Sequence, residues 1–131
     1  MGSAEISICM ATYNGEKYLK EQLDSILAQV NTDWKLLIRD DGSEDSTIEI
    51  IEDYAEKYPD KIELTTDSFG RLGPCMSFSR LLDLADAEYI MFCDQDDVWL
   101  SNKIALTLGA MKQAEQINRR ARGNLILQFS R

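Results

Sequence analysis

The 131-residue chain carries 14 Lys and Arg against 23 Asp and Glu, a net charge of −9, and it has no histidine. An acidic surface repels a phosphate backbone, which argues against a general nucleic-acid binder. Without imidazole there is no Ser-His-Asp or Cys-His catalysis and no histidine-ligated zinc. Chemistry must then rest on carboxylates, cations, hydroxyls, backbone groups or a bound metal.

At 44% hydrophobic and 28% charged residues, the chain has the composition of a folded protein rather than a disordered one. Its length suits one domain, at roughly 100–200 residues each. Cys9, Cys75 and Cys93 are far apart and form no Cys-x-x-Cys pair, so neither a disulfide framework nor a thiolate zinc site is expected. Cys9 and Cys93 lie in apolar runs and read as buried, reduced core residues. No apolar run approaches the ~18 residues of a membrane span. The N-terminus lacks the basic-then-apolar pattern of a signal peptide, which leads to the expectation of a cytoplasmic protein.

Ile6–Ala11 is short and apolar and predicts a buried strand. Thr12-Tyr13-Asn14-Gly15 breaks the pattern. Leu19, Leu23, Ile26, Leu27 and Val30 then recur at helical spacing, the stripe of an amphipathic helix. Trp34–Arg39 predicts a second strand, ending in Asp40-Asp41-Gly42-Ser43. Ser46 with Glu49 three residues on reads as a capping box for a second helix along Ile48, Ile51, Ala55 and Tyr58, and Pro59 marks its end. Ile62–Thr66 alternates as a strand. After a loop at Phe69–Pro74, Phe78, Leu81, Leu82 and Ala85 predict a third helix. Tyr89–Cys93 predicts a fourth strand, ending in Asp94-Gln95-Asp96-Asp97. Ile104, Leu108 and Met111 predict a fourth helix, and Leu125–Phe129 reads as an optional fifth strand. Arg119, Arg120 and Arg122 crowd together near the end of this acidic chain. Alternating strands and helices imply an α/β fold, a mostly parallel sheet with helices on both faces.

Ligands of open α/β sheets bind beyond the carboxyl ends of the strands, at the topological switch point. Three polar clusters fall at such ends: Thr12-Tyr13-Asn14, Asp40-Asp41, and Asp94 through Asp97. Paired carboxylates after a strand offer the oxygen ligands that Mg²⁺ or Mn²⁺ takes together with substrate phosphates. A carboxylate after strand two can accept hydrogen bonds from a nucleoside. Tyr13 can lie against a base, and Thr12 can hydrogen-bond to it. Together these describe a metal-dependent nucleoside-diphosphate site.

Plainer readings stand beside this one. Asp-x-Asp arises by chance about once in so acidic a chain, so the motif alone is weak. Asp45 or Asp97 could simply cap a helix. Of Asp40 and Asp41, one faces ligand while the other holds the turn with Gly42 and Ser43. Tyr13 divides evenly between ligand stacking and loop packing. Asn14 reads as a helix cap, and Phe92 and Trp99 read as core. The acidic helix faces read as solvated surface.

The segments ISICMATYNG (Ile6–Gly15), LLIRDDGSEDST (Leu36–Thr47) and AEYIMFCDQDDVWLSNKI (Ala87–Ile104) resemble, in order and spacing, the family 2 glycosyltransferases with their GT-A nucleotide-sugar-binding fold. The last segment resembles bacterial rhamnosyltransferase-like members that build surface polysaccharide. The resemblance implies that Thr12, Tyr13, Asp40, Asp41 and Arg71 contact the nucleotide of a UDP- or dTDP-sugar. It implies that Asp94 engages ribose and diphosphate, and that Asp94 and Asp96 hold a divalent Mg or Mn cation. The implied reaction transfers a sugar to a hydroxyl of a glycan or lipid-linked acceptor, at or near the inner face of the membrane. The carboxylate base that inverting members use has no counterpart in the matched motifs.

The segment 117–131, INRRARGNLILQFSR, does not resemble the family. A full domain of this kind runs to about 200–250 residues. The expectation is thus one donor-binding portion over 1–131 with an atypical tail at 117–131, no general base, and an exposed edge open to a second copy of the chain. A non-catalytic nucleotide-sugar-binding module shares the same site. A phosphoacceptor receiver domain would need an acid pair after strand one and a lysine after strand five, and the chain has neither. No Gly-rich dinucleotide fingerprint or P-loop is present.

Overall fold

The computed structural model describes residues 4–94, 96–117 and 125–128. The elements run β1 (Ile6–Thr12), α1 (Leu19–Leu27), β2 (Trp34–Asp40), α2 (Thr47–Lys57), β3 (Ile62–Thr65), α3 (Pro74–Leu84), β4 (Tyr89–Cys93), α4 (Lys103–Ile117) and β5 (Leu125–Gln128). The fifth strand forms over Leu125–Gln128; Phe129, Arg119, Arg120, Arg122 and most of the 117–131 tail lie outside the described residues.

The sheet is wholly parallel, in the order β3-β2-β1-β4-β5. The chain leaves β3 at one side and returns to β4 on the far side of β1, so the direction of winding reverses between β1 and β4. The carboxyl ends of those two strands flank the switch point, where an open α/β sheet leaves a crevice.

Alternation within the strands divides the core. Ile6, Ile8 and Met10 of β1 point to one face with Leu36, Ile38, Tyr89 and Met91. They pack under Leu23 and Ile26 of α1, Ile51 of α2, and Ile104, Leu108 and Met111 of α4. Cys9, Leu37 and Ile90 point to the other face, where Leu81 of α3 covers them and Phe78 meets Phe92 at 5.0 Å between ring centroids. Helices thus lie on both faces, three against one. Because α4 shares the face of α1 and α2 yet leads to the opposite side of the sheet, the β4–α4–β5 connection has the opposite hand to the three before it. Trp99 is buried in the larger core, as read from the sequence. Burial pushes the Cys9 and Cys93 thiols up to about 12, which keeps both as inert core groups.

Three local expectations need correction. Val30 does not join the α1 stripe: the helix ends at Leu27, Val30 is 67% exposed, and its amide donates to the Ser101 carbonyl instead. Ser46 and Glu49 form no capping box. Asp45 takes that part, its Oδ1 accepting from the Thr47 amide at 2.9 Å, while the Ser46 amide donates to Glu16 across the loop. Asn14 caps no helix. It has φ of +48°, and its Oδ1 accepts from the Glu44 amide of the next loop at 2.8 Å.

Candidate functional site

Strand register builds the site. Thr12, the last residue of β1, lies opposite Asp40, the last of β2. The Thr12 hydroxyl donates to Asp40 Oδ1 at 2.7 Å. The same carboxylate accepts from the Gly42 amide and from both the amide and hydroxyl of Ser43. Asp40 is therefore the turn-holding member of the acid pair, its oxygens spent on the DDGS turn. Gly42, at φ +91°, supplies the left-handed step that turn requires.

Asp41 does a different job. It is 6% exposed and accepts from Arg39 Nη1 at 2.9 Å and from the Leu72 and Gly73 amides at 2.7 and 2.9 Å. These amides lead into α3, so Asp41 pins the start of that helix against the end of β2. Burial alone would raise its carboxyl. The Leu72 and Gly73 amides together with Arg39 outweigh burial and hold it below the usual carboxylate range. Arg39 grips Asp67 with two bonds of 2.9 and 3.0 Å and also donates to the Ser77 hydroxyl and the Gly70 carbonyl. This charged knot beneath the site had no signal in the pattern that read Trp34–Arg39 as a buried strand.

Above the knot lies a cleft of about 430 Å³ lined by Thr12, Tyr13, Asp41, Arg71, Ser77 and Asp94, among others. It sits at the switch point, between the ends of β1 and β4 and the first turn of α3. The Arg71 guanidinium carbon is 3.9 Å from the Tyr13 ring centroid, so the two side chains stack at the rim. Five of the six residues expected at the nucleotide meet at this cleft. Asp40 does not line it; with Arg71 it borders a neighbouring hollow toward β3. A third hollow, of about 300 Å³, lies under Trp99, Leu100 and Leu106 beside α4 and is mostly apolar. Asp97, Asn102, Lys103 and Thr107 also stand on its wall.

Asp94 follows β4, whose last residue Cys93 pairs with Met10 of β1. Asp96 is exposed and has φ of +73°. Among the described residues, no three of His, Cys, Asp and Glu gather to hold a metal by themselves. Asp94 lines the cleft, while Asp96 is not among its lining residues; their carboxylates are the type of oxygen donor a hard divalent cation takes. Mg²⁺ is commonly bound through one or two carboxylates, with substrate phosphates and water filling the rest. Asp41, Asp94 and Arg71 line the cleft, and the charge of Asp41 is met by Arg39 at 2.9 Å.

Sequence reasoning missed a second set of residues. Gln22, Ser25 and Gln29 hydrogen-bond to the backbone of the loop that carries Asp94 and Asp96. The available signal was polar side chains at positions i, i+3 and i+7 on the inward side of an amphipathic helix.

The family model described as Glycosyl transferase family 2 matches residues 7–122. The chain is 43% identical over 100 residues to the dTDP-rhamnosyl transferase RfbG of Shigella flexneri, covering 72% of this chain and 34% of that protein. It is 30% identical over 106 residues to the UDP-Glc:alpha-D-GlcNAc-diphosphoundecaprenol beta-1,3-glucosyltransferase WfgD of Escherichia coli, covering 81% and 40%. The chain thus spans little more than a third of the length of these relatives. Among solved structures it superposes on S. aureus TarS 1-349 in complex with UDP-GlcNAc, with a TM-score of 0.70, 27% identity, and coverage of 83% of this chain and 31% of that one. The mannosyltransferase PcManGT of Pyrobaculum calidifontis, in complex with GDP-Man and Mn²⁺, gives a TM-score of 0.65 at 26% identity, covering 75% and 29%. On the extent of the family match, and with the GT-A fold these neighbours share, the chain belongs to glycosyl transferase family 2.

Proposed function

We propose that this chain binds the nucleoside diphosphate of a UDP- or dTDP-sugar in the switch-point cleft, as the donor-binding part of a glycosyltransferase. The observation that carries the reading is the convergence of Tyr13, Asp41, Arg71 and Asp94 on one cleft between β1 and β4. Tyr13 and Arg71 offer flat surfaces at the rim, suited to a base. Thr12 and Asp40, bonded to each other, fix the wall beside them. Asp94, with Asp96, would hold a Mg or Mn ion against the diphosphate, and a cation there supplies charge neutralisation as the diphosphate leaves. That PcManGT is seen with GDP-Man and Mn²⁺ supports this arrangement.

The reaction proposed for the whole protein is attack of an acceptor hydroxyl on the anomeric carbon. The bond to the diphosphate breaks, and the hydroxyl proton passes to a carboxylate base not assigned within this chain. The alpha-D-GlcNAc-diphosphoundecaprenol acceptor of WfgD supports a lipid-linked acceptor, which we extend to surface polysaccharide synthesis on the cytoplasmic side of the membrane. Among the described residues, no helix is long and apolar enough to cross a membrane.

Titration calorimetry with UDP and dTDP, each with and without Mn²⁺, tests the donor site. Binding that strengthens with Mn²⁺ is expected. No binding of either nucleotide under either condition rejects the reading.

A further inference from the structure

The face of α1 that meets the core is not wholly apolar. Gln22 is fully buried, Ser25 half-buried, and Gln29, just past the helix end, is 4% exposed. At spacings of three and four residues they form one stripe, and each reaches the acid loop after β4. Gln22 Nε2 donates to the Asp94 carbonyl at 2.5 Å, with Cys93 Sγ at 3.3 Å. The Trp99 amide donates to Ser25 Oγ at 3.0 Å, and that hydroxyl donates to the Gln22 carbonyl at 2.7 Å. Gln29 Nε2 donates to the Leu100 carbonyl at 2.6 Å, and its Oε1 accepts from the Ile104 amide at 2.9 Å. The loop is thus stitched to α1 at its start, middle and end. This stitching also carries α4 to the α1 side of the sheet.

Gln22 stands apart from the other two. Its carbonyl oxygen, Oε1, is buried without a hydrogen-bond partner among the described residues. An orphaned buried acceptor is unfavourable, and an apolar side chain of the same shape would avoid it. Packing therefore does not account for glutamine here, whereas the bond to the Asp94 main chain does. That bond fixes the backbone of Asp94, one of the residues lining the cleft, two residues before the left-handed step at Asp96.

We infer that Gln22 is a positioning residue of the donor site: it holds the Asp94 backbone so that the Asp94 and Asp96 carboxylates converge on one cation and the diphosphate. The inference rests on the donor-site reading above and adds a residue to it. The loss of Gln22 weakens the part of nucleotide binding that depends on the cation and spares the part that rests on Tyr13 and Arg71.

The test compares the full chain with its Gln22→Leu variant by calorimetry with UDP and dTDP, with and without Mn²⁺, alongside thermal melting and amide hydrogen exchange. In Gln22→Leu, the Mn²⁺-dependent gain in affinity is expected to fall at least tenfold. Metal-free affinity stays within twofold, the melting midpoint is not lowered, and amides from Asp94 to Leu100 exchange faster. Gln22→Met, unbranched and similar in length, carries the same expectations. A Mn²⁺-dependent gain equal to that of the parent chain overturns the positioning role alone. Failure of both variants to fold, or equal loss of metal-free and metal-dependent binding, overturns it in favour of a purely structural role. Absence of nucleotide binding by the parent chain overturns the donor-site reading and this inference with it.

Discussion

Arg71 lies over the ring of Tyr13, 3.9 Å from its centroid, joining the loop after β1 to the loop before α3 across the mouth of the cleft. A guanidinium on an aromatic face contributes about 0.5–2 kcal/mol, depending on desolvation. On the proposed donor-site reading, a base entering the cleft would meet this pair at the rim. Arg71→Ala is expected to weaken UDP or dTDP binding about tenfold, close to 1.4 kcal/mol. Arg71→Lys should recover little, because an ammonium lacks the planar stacking surface. Calorimetry on the three proteins checks this, and equal affinities would remove Arg71 from the site.

The knot of Arg39, Asp41 and Asp67 ties the stability of the site floor to pH. Hydrogen bonds from Arg39 lead the forces that hold the Asp67 carboxyl below its ordinary range, and Asp41 is held low against the opposing effect of burial. A carboxylate whose folded pKa is depressed stabilises the native state above its unfolded pKa, about 3.9, and that stabilisation is lost as pH falls through the folded value. Urea midpoints should therefore hold steady near neutrality and decline below about pH 4. Asp67→Asn should flatten that decline. Asp41→Asn should cost about 3 kcal/mol at neutral pH, the low end for breaking a buried pair, because Arg39 keeps Asp67. Side-chain exposures of 4% for Arg39 and 10% for Asp67 make this pair less open to salt screening than a surface bridge.

The strands and helices were legible because their apolar periodicity is local. Isoleucine-rich Ile6–Ala11 could only be a buried strand, and Leu19, Leu23 and Ile26 could only be one helix face. The order β3-β2-β1-β4 was not legible. It depends on where the chain crosses between β3 and β4, which periodicity does not encode. Asp40 and Asp41 were recognisable as a pair with divided duties. Which acid did which turned on Arg39 and Ser43, and Arg39 is held in place by partners as far off in sequence as Asp67, 28 residues away. The capping box at Ser46 failed because a neighbouring acid, Asp45, reached the Thr47 amide while Glu16 of another loop took the Ser46 amide. Local motifs lose when a tertiary partner satisfies the same donor.

Asp96 sits at φ +73°, a backbone region that Asn and Asp enter more readily than other non-glycine residues. Asp96→Asn therefore changes charge without disturbing the turn, which makes it a clean probe of the cation. It is expected to abolish the Mn²⁺-dependent gain in nucleotide affinity while leaving the melting midpoint within a degree or two, roughly the ±0.5 kcal/mol of a surface change. An unchanged Mn²⁺ response would make Asp96 a turn residue and nothing more.

The wall of the site depends on two loops that clasp each other. The Asn14 amide donates to Ser43 Oγ at 2.7 Å and its Oδ1 accepts from the Glu44 amide at 2.8 Å, while the Gly15 amide donates to the buried Thr47 hydroxyl at 2.9 Å. Ser43 in turn donates to Asp40, which accepts from Thr12, so the clasp continues into the cleft wall. Asn14→Ala loses the side-chain bond and places alanine at φ +48°. Asn14→Gly loses the bond but relaxes the backbone. The expected order of stability is parent, then Asn14→Gly, then Asn14→Ala. The alanine variant should lie about 1–2 kcal/mol below the parent, the sum of a modest hydrogen bond and a left-handed backbone penalty. Urea denaturation measures the order, and nucleotide affinity should fall in the same sequence because Thr12 and Tyr13 are set by this clasp. Equal affinities with unequal stabilities would show that the loops fold together but do not shape the site.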